Sequence, residues 1–142
     1  MPVRKANAVW QGGLKKGNGK VRVESGAFEL PYSFSSRFEE GTGTNPEELI
    51  GAAHAGCFAM ALSMMLEEAG FPPEKLEVSA DVHIDPKDGG FAITRIDLSL
   101  VGTVPNIDEA TFQEKAQAAK QGCPVSQALS ATRIELAAEL KK

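Results

Sequence analysis

Between Pro46 and Gly70 the chain reads PEELIGAAHAGCFAMALSMMLEEAG, and from Leu49 to Ala69 its only strongly polar side chains are His54, Ser63, Glu67 and Glu68. The spacing predicts a helix with little solvent face to offer, and such a helix belongs in the centre of an assembly. Its small residues Gly51, Ala52, Ala53, Ala55, Gly56 and Ala59 let a second helix or a strand approach closely. Both ends are marked: Asn45 serves as N-cap, Pro46 fits the first helical position, and Glu47 and Glu48 face the positive end of the dipole. Gly70 followed by Pro72-Pro73 stops it.

The flanking segments read mainly as strands. Ala6, Ala8 and Trp10, then Val21 and Val23, then Phe28, Leu30, Tyr32 and Phe34 alternate between Gly-rich turns, which predicts a three-stranded meander. Phe38 to Thr44 reads as a polar loop, and Arg37 as the end of the preceding strand. Beyond the long helix, Leu76, Val78, Ala80, Val82 and Ile84 form one face of a strand with Glu77, Ser79, Asp81, His83 and Asp85 on the other. Asp88-Gly89-Gly90 supplies a hairpin turn into a strand from Phe91 to about Thr103. Asp108 caps a helix through Phe112, Ala116 and Ala119 that Gly122 closes, and Cys123-Pro124 opens a short helix through Leu129. The alternation of Ile134, Leu136, Ala138 and Leu140 predicts a last strand. The fold class is α+β, and 142 residues with no linker or repeat predict one domain over residues 1–142.

A formal net charge of -4, with basic residues scattered, argues against a nucleic-acid partner. The N-terminus MPVRKANAVWQGG lacks an apolar h-region, and no run of about 18 consecutive apolar residues is found, so no membrane partner and a cytoplasmic location are expected. In a reducing cytosol the two cysteines, Cys57 and Cys123, are then either inert buried thiols or a transient working pair.

A working Cys57 needs help, because a thiol amid apolar neighbours has its pKa pushed above about 8.5. Arg37, between Phe34 and Phe38, is the candidate cation, since a guanidinium within about 4 to 6 Å lowers an acid's pKa by about 1 to 3 units. Glu47 or Glu48 can hold it through a bidentate pair. Bland readings stand beside these: a surface arginine, and acids answering a helix dipole. If the helix is continuous, Glu47 and Cys57 lie about 15 Å apart along its axis. A site sharing Arg, Glu and Cys then requires a helix break or a second copy about a two-fold axis, and the small-residue helix favours a dimer. Cys123, at an N-cap-like position, is placed to resolve oxidation of the other cysteine. His54, three residues before Cys57, can act as a general base; it, His83 and the cysteines match no zinc spacing.

The segments GTNPEELIGAAHAGCFAMALSMML and GCPVSQAL, with SRFEEGTGTNPEEL and FAITRI, closely resemble the signatures of the OsmC/Ohr family of thiol-dependent peroxidases, in its osmotically inducible branch. The resemblance implies hydroperoxide reduction: Cys57 as the peroxidatic cysteine that becomes a sulfenic acid, and Cys123 as the resolving cysteine that closes a disulfide with it. It assigns Arg37 to stabilising the thiolate and the leaving alkoxide, and Glu47 to orienting Arg37. It implies an intertwined homodimer of antiparallel sheets, in two-layer packing on long central helices. It implies no bound cofactor or metal, an external dithiol of lipoyl type as reductant, and a role in oxidative and osmotic stress. Phe38, Phe58, Met60 and Met64 suggest an apolar pocket for organic hydroperoxides, with hydrogen peroxide as the other substrate. Two alternatives are a cysteine hydrolase using Cys57 and His54, and a non-catalytic stress-related binding dimer with inert thiols.

Overall fold

A computed structural model describes residues 1–142 throughout. The chain divides into two compact units, Met1–Leu49 and Ile50–Lys142.

In the first unit β1 (Ala6–Gln11), β2 (Asn18–Val23) and β3 (Glu29–Tyr32) form an antiparallel meander. Gly19 in β2 lies where a Cβ would come within 2.6 Å of the Val9 carbonyl oxygen and 2.7 Å of both the Trp10 and Tyr32 rings. Its missing side chain lets those two rings meet at 5.3 Å between centroids. The third strand ends earlier than the apolar alternation suggests, and Phe34–Phe38 is a short helix, α1. Ser33 caps it: Ser33 Oγ accepts from the Ser36 amide and Ser36 Oγ from the Ser33 amide, a reciprocal box that overrides the strand pattern. Arg37 therefore sits on a helical turn and not at a strand end. No residue of this unit belongs to the buried apolar cluster, and Val9, Leu14 and Leu30 are exposed.

The helix α2 (Pro46–Glu68) begins in the first unit and runs into the second. Asn45 caps it by accepting from the Glu48 amide at 2.7 Å. Within the second unit its buried stripe is Gly51, His54, Phe58, Leu62 and Leu66, the three-and-four spacing of one helical face. At Gly51 a Cβ would touch Val82 at 3.3 Å and the Ala80 carbonyl at 3.4 Å, so the glycine lets α2 lie against strand β4 (Lys75–Lys87). The opposite side of the same helix is apolar and open: Met60 is 77% and Met64 55% exposed, beside Ala52, Ala53 and Gly56. Although no run of about 18 consecutive apolar residues is present, α2 as a whole is long and apolar enough, by length and composition alone, to cross a membrane.

β4 pairs antiparallel with β5 (Gly90–Thr103), the two joined at Asp88-Gly89, both with positive φ. A register shift falls between His83 and Ile84. The remaining strand, β6 (Arg133–Leu140), pairs with the other edge of β5, and it runs parallel, unlike the antiparallel arrangement expected. The reason is the intervening pair of helices, α3 (Glu109–Gly122) and α4 (Pro124–Ala128), which return the chain to the start of β5. Asp108 caps α3 as expected, but Gly122 stays helical and Cys123 ends the helix, with ψ 139°, because the proline after it disfavours the α region. The core lies between α2, α3 and the sheet: Phe58, Leu62, Leu66, Ile96, Leu98, Leu100 and Phe112 are all essentially inaccessible. The result is an α+β fold with two small sheets.

Candidate functional site

Two pairs of side chains gather the four residues singled out from the sequence, one pair in each unit. In the first, Arg37 donates from Nε to Glu47 Oε1 and from Nη2 to Glu47 Oε2, both at 2.9 Å. The surrounding loop fixes that geometry. Asn45, while capping α2, donates from Nδ2 to the Ser36 carbonyl at 3.0 Å, and Ser36 Oγ donates to the Thr44 carbonyl at 2.7 Å. α1 and the first turn of α2 are thus tied through one asparagine and one serine. Glu47 is buried, whereas Glu48 is exposed and accepts from Thr44 Oγ1. The hydrogen bond to Glu47 raises the Arg37 pKa further, so its charge is permanent. The Phe38 ring lies 5.1 Å from the guanidinium carbon, and Trp10, Leu14, Tyr32, Phe34, Arg37 and Phe38 line a cavity of about 240 Å³. The apolar pocket is therefore built from β1, β3 and α1. Of the side chains proposed from the sequence only Phe38 lines it, since Phe58 is core and Met60 and Met64 are exposed.

The second pair is Cys57 and Cys123. Both are free thiols, and they are neighbours, near enough for Cys123 to act on the titration of Cys57. Their exposure reverses the sequence expectation: Cys57 in the apolar run is only partly buried, and Cys123 at the corner is fully buried. The helical repeat explains this, because the inward stripe of α2 passes through His54 and Phe58 and leaves Cys57 at its edge. Burial pushes the Cys57 thiol up, the Val125 amide draws it partly back, and Cys123 adds to the rise. Within the second unit no cation bears on it. Cys123 caps α4, its sulfur accepting from the Ser126 amide at 3.3 Å.

A third group went unnoticed in the sequence. Ser126 Oγ is 3.1 Å from Cys123 Sγ and 2.7 Å from His54 Nε2, and all three side chains are buried. The available signal was the three-residue step from the cap Cys123 to Ser126, the spacing of a capping pair. His54 Nδ1 has no hydrogen-bond partner, so the orienting acid that a Cys57/His54 hydrolase needs is missing. His83 lies apart, on Asp97 at 2.8 Å. No three His, Cys, Asp or Glu side chains converge in a way that could hold a metal ion.

Comparison with known proteins gives a consistent result. Residues 39–138 match the family described as OsmC-like protein. The chain is 55% identical over 139 residues to Peroxiredoxin OsmC of Escherichia coli, covering 97% of this chain and 96% of that protein. It is 31% identical over 125 residues to organic hydroperoxide resistance protein OhrB of Bacillus subtilis, covering 87% and 89%. The crystal structure of OhrB superimposes with a TM-score of 0.68 at 28% identity, covering 96% of this chain and 98% of that one.

Proposed function

This chain belongs to the OsmC-like protein family, and from that premise we propose how its two thiols work. It is a cysteine-based, thiol-dependent peroxidase that reduces hydroperoxides. The Cys57 thiolate attacks the terminal oxygen of the hydroperoxide; an S–O bond forms, the O–O bond breaks, and the alkoxide leaves as an alcohol after taking a proton. Cys123 then condenses with the Cys57 sulfenic acid, forming the disulfide and releasing water. An external dithiol, of lipoyl type, reduces the disulfide and is itself oxidised. The single observation that carries this cycle is that the two free thiols are neighbours, near enough for Cys123 to act on the titration of Cys57.

Arg37 supplies the cation that Cys57 lacks in its own unit, and Glu47 holds the guanidinium in register. The apolar cavity beside Arg37 favours an organic hydroperoxide. We place the working form as a homodimer in the cytoplasm, with no nucleic-acid or membrane partner. Two features support the dimer: the open apolar face of α2, and a first unit that has no buried apolar cluster of its own. A second copy of α2 covers that face without invoking a bilayer.

The test is mass spectrometry after one equivalent of cumene hydroperoxide: loss of two hydrogens and a Cys57–Cys123 cross-linked peptide are expected. Peroxide consumption with dithiothreitol or dihydrolipoamide should vanish in Cys57→Ser. A folded Cys57→Ser chain that consumes peroxide at the wild-type rate would overturn the cycle.

A further inference from the structure

The peroxidase cycle leaves His54 without a task, although it is a fully buried imidazole on the same face of α2 that carries the core. Its one hydrogen-bonding partner is Ser126 Oγ, at 2.7 Å, and that oxygen is also the acceptor for the Cys123 thiol at 3.1 Å. The three groups thus form a continuous line, Cys123 Sγ to Ser126 Oγ to His54 Nε2, that begins at the sulfur that must attack Cys57. The directions depend on the tautomer of His54. With the imidazole proton on Nδ1, the Cys123 S–H donates to Ser126 Oγ and the serine hydroxyl donates to Nε2, the direction in which a proton must travel to leave the sulfur. Nδ1 has no hydrogen-bond partner of its own.

We propose that Ser126 and His54 form the proton relay of Cys123, with Ser126 the catalytic residue in contact with the reacting sulfur and His54 acting through it. The proposal rests on the peroxidase reading above and assigns the relay to its second step. As Cys123 attacks the Cys57 sulfenic acid, its proton passes to Ser126 Oγ while the serine proton passes to His54 Nε2. The thiolate so formed accepts hydrogen bonds from the Ser126 hydroxyl and from the Ser126 amide. The S–S bond forms, the S–O bond of Cys57 breaks, and the departing hydroxide takes a proton from solvent at the partly exposed Cys57. When the dithiol attacks the Cys57 sulfur of the disulfide, Cys123 leaves as a thiolate and takes the stored proton back through Ser126, restoring the neutral imidazole. The second thiol of the reductant then displaces the Cys57 thiolate, closing the cycle with the dithiol oxidised. His54 starts that cycle neutral, because loss of solvent lowers its pKa and no carboxylate or cation bears on it. The titratable groups along the line are Cys123 and, next to it, Cys57.

Dimedone traps a sulfenic acid, so one equivalent of cumene hydroperoxide added with dimedone partitions Cys57 between a dimedone adduct and the Cys57–Cys123 disulfide. Relative to wild type, Ser126→Ala and His54→Asn should shift the partition towards the adduct by about a hundredfold at pH 7, the low end of what a positioned acid-base group supplies. The deficit should shrink as the pH rises and free thiolate becomes available, and Ser126→Thr, which keeps the hydroxyl, should restore closure. A wild-type partition and pH profile in Ser126→Ala would overturn the relay, and that variant alone decides should His54→Asn not fold. A wild-type chain that yields neither adduct nor disulfide would instead overturn the peroxidase reading, and the relay with it.

Discussion

Arg37 grips both oxygens of Glu47, a fork that a lysine ammonium cannot reproduce. If the guanidinium is the cation for Cys57, then removing it leaves the thiol with the upward push of burial unopposed. In Arg37→Ala the pH at which Cys57 is half alkylated by iodoacetamide should rise by about 1 to 3 units. Peroxide turnover at pH 7 should fall by about ten- to a thousandfold, following the lost thiolate. Arg37→Lys should recover only part of this, and an unshifted alkylation profile in Arg37→Ala would remove Arg37 from the mechanism. His54 carries a separate prediction. Burial lowers its pKa, so below about 6.5 the unfolded chain binds a proton that the folded chain resists. Stability from this group is complete above that pH and lost as pH falls. Thermal melts at pH 7.5 and pH 5 should show a smaller acid-induced drop in His54→Asn than in wild type; an equal drop would place the acid sensitivity elsewhere.

The elements depend on a few tight approaches. At Gly19 an added Cβ would meet the Val9 carbonyl, part of the backbone, which cannot turn aside as a flexible side chain could. Gly19→Ala should therefore cost about 1 to 3 kcal/mol. The loss should show as faster hydrogen exchange in β1, β2 and β3, with amides of β4 and β5 little changed; uniform acceleration across both sheets would argue against a local cause. The same element shows where sequence periodicity stops being informative. Alternation through Phe28, Leu30 and Tyr32 reads correctly as a strand, yet Phe34 continues the pattern into what is α1, because Ser33 and Ser36 satisfy each other's amides and turn the chain. The long helix, the hairpin at Asp88-Gly89 and the last strand are legible because caps, turn residues and alternation are local signals. The parallel pairing of β6 is not, since it depends on where α3 and α4 deliver the chain. At the site, the Arg37–Glu47 fork was one of several readings open to its residues, while Ser126 escaped notice because its meaning comes from His54, 72 residues away.

At the scale of the whole molecule the open side of α2 is the feature that demands a partner. Met60 and Met64 stand one turn apart on a face otherwise made of alanine and glycine, and covering a methionine side chain is worth about 1.5 to 3 kcal/mol. In the proposed dimer a second copy of the same helix would meet that face with the same small residues, which is what two-fold association requires. Replacing Met60 by Glu would then put a charge where the two copies meet and disfavour the pair twice over, once for each chain. Sedimentation of the wild type should report a dimer at micromolar concentration, and Met60→Glu should shift it to monomer. If catalysis needs both copies, peroxide consumption per chain should fall with the dimer fraction as Met60→Glu is diluted. Retained disulfide closure in the monomer would be consistent with this, because Cys57, Cys123, Ser126 and His54 come from one chain. A Met60→Glu monomer that turns over hydroperoxide at the wild-type rate would show that each chain works alone, and the open face of α2 would then need another explanation.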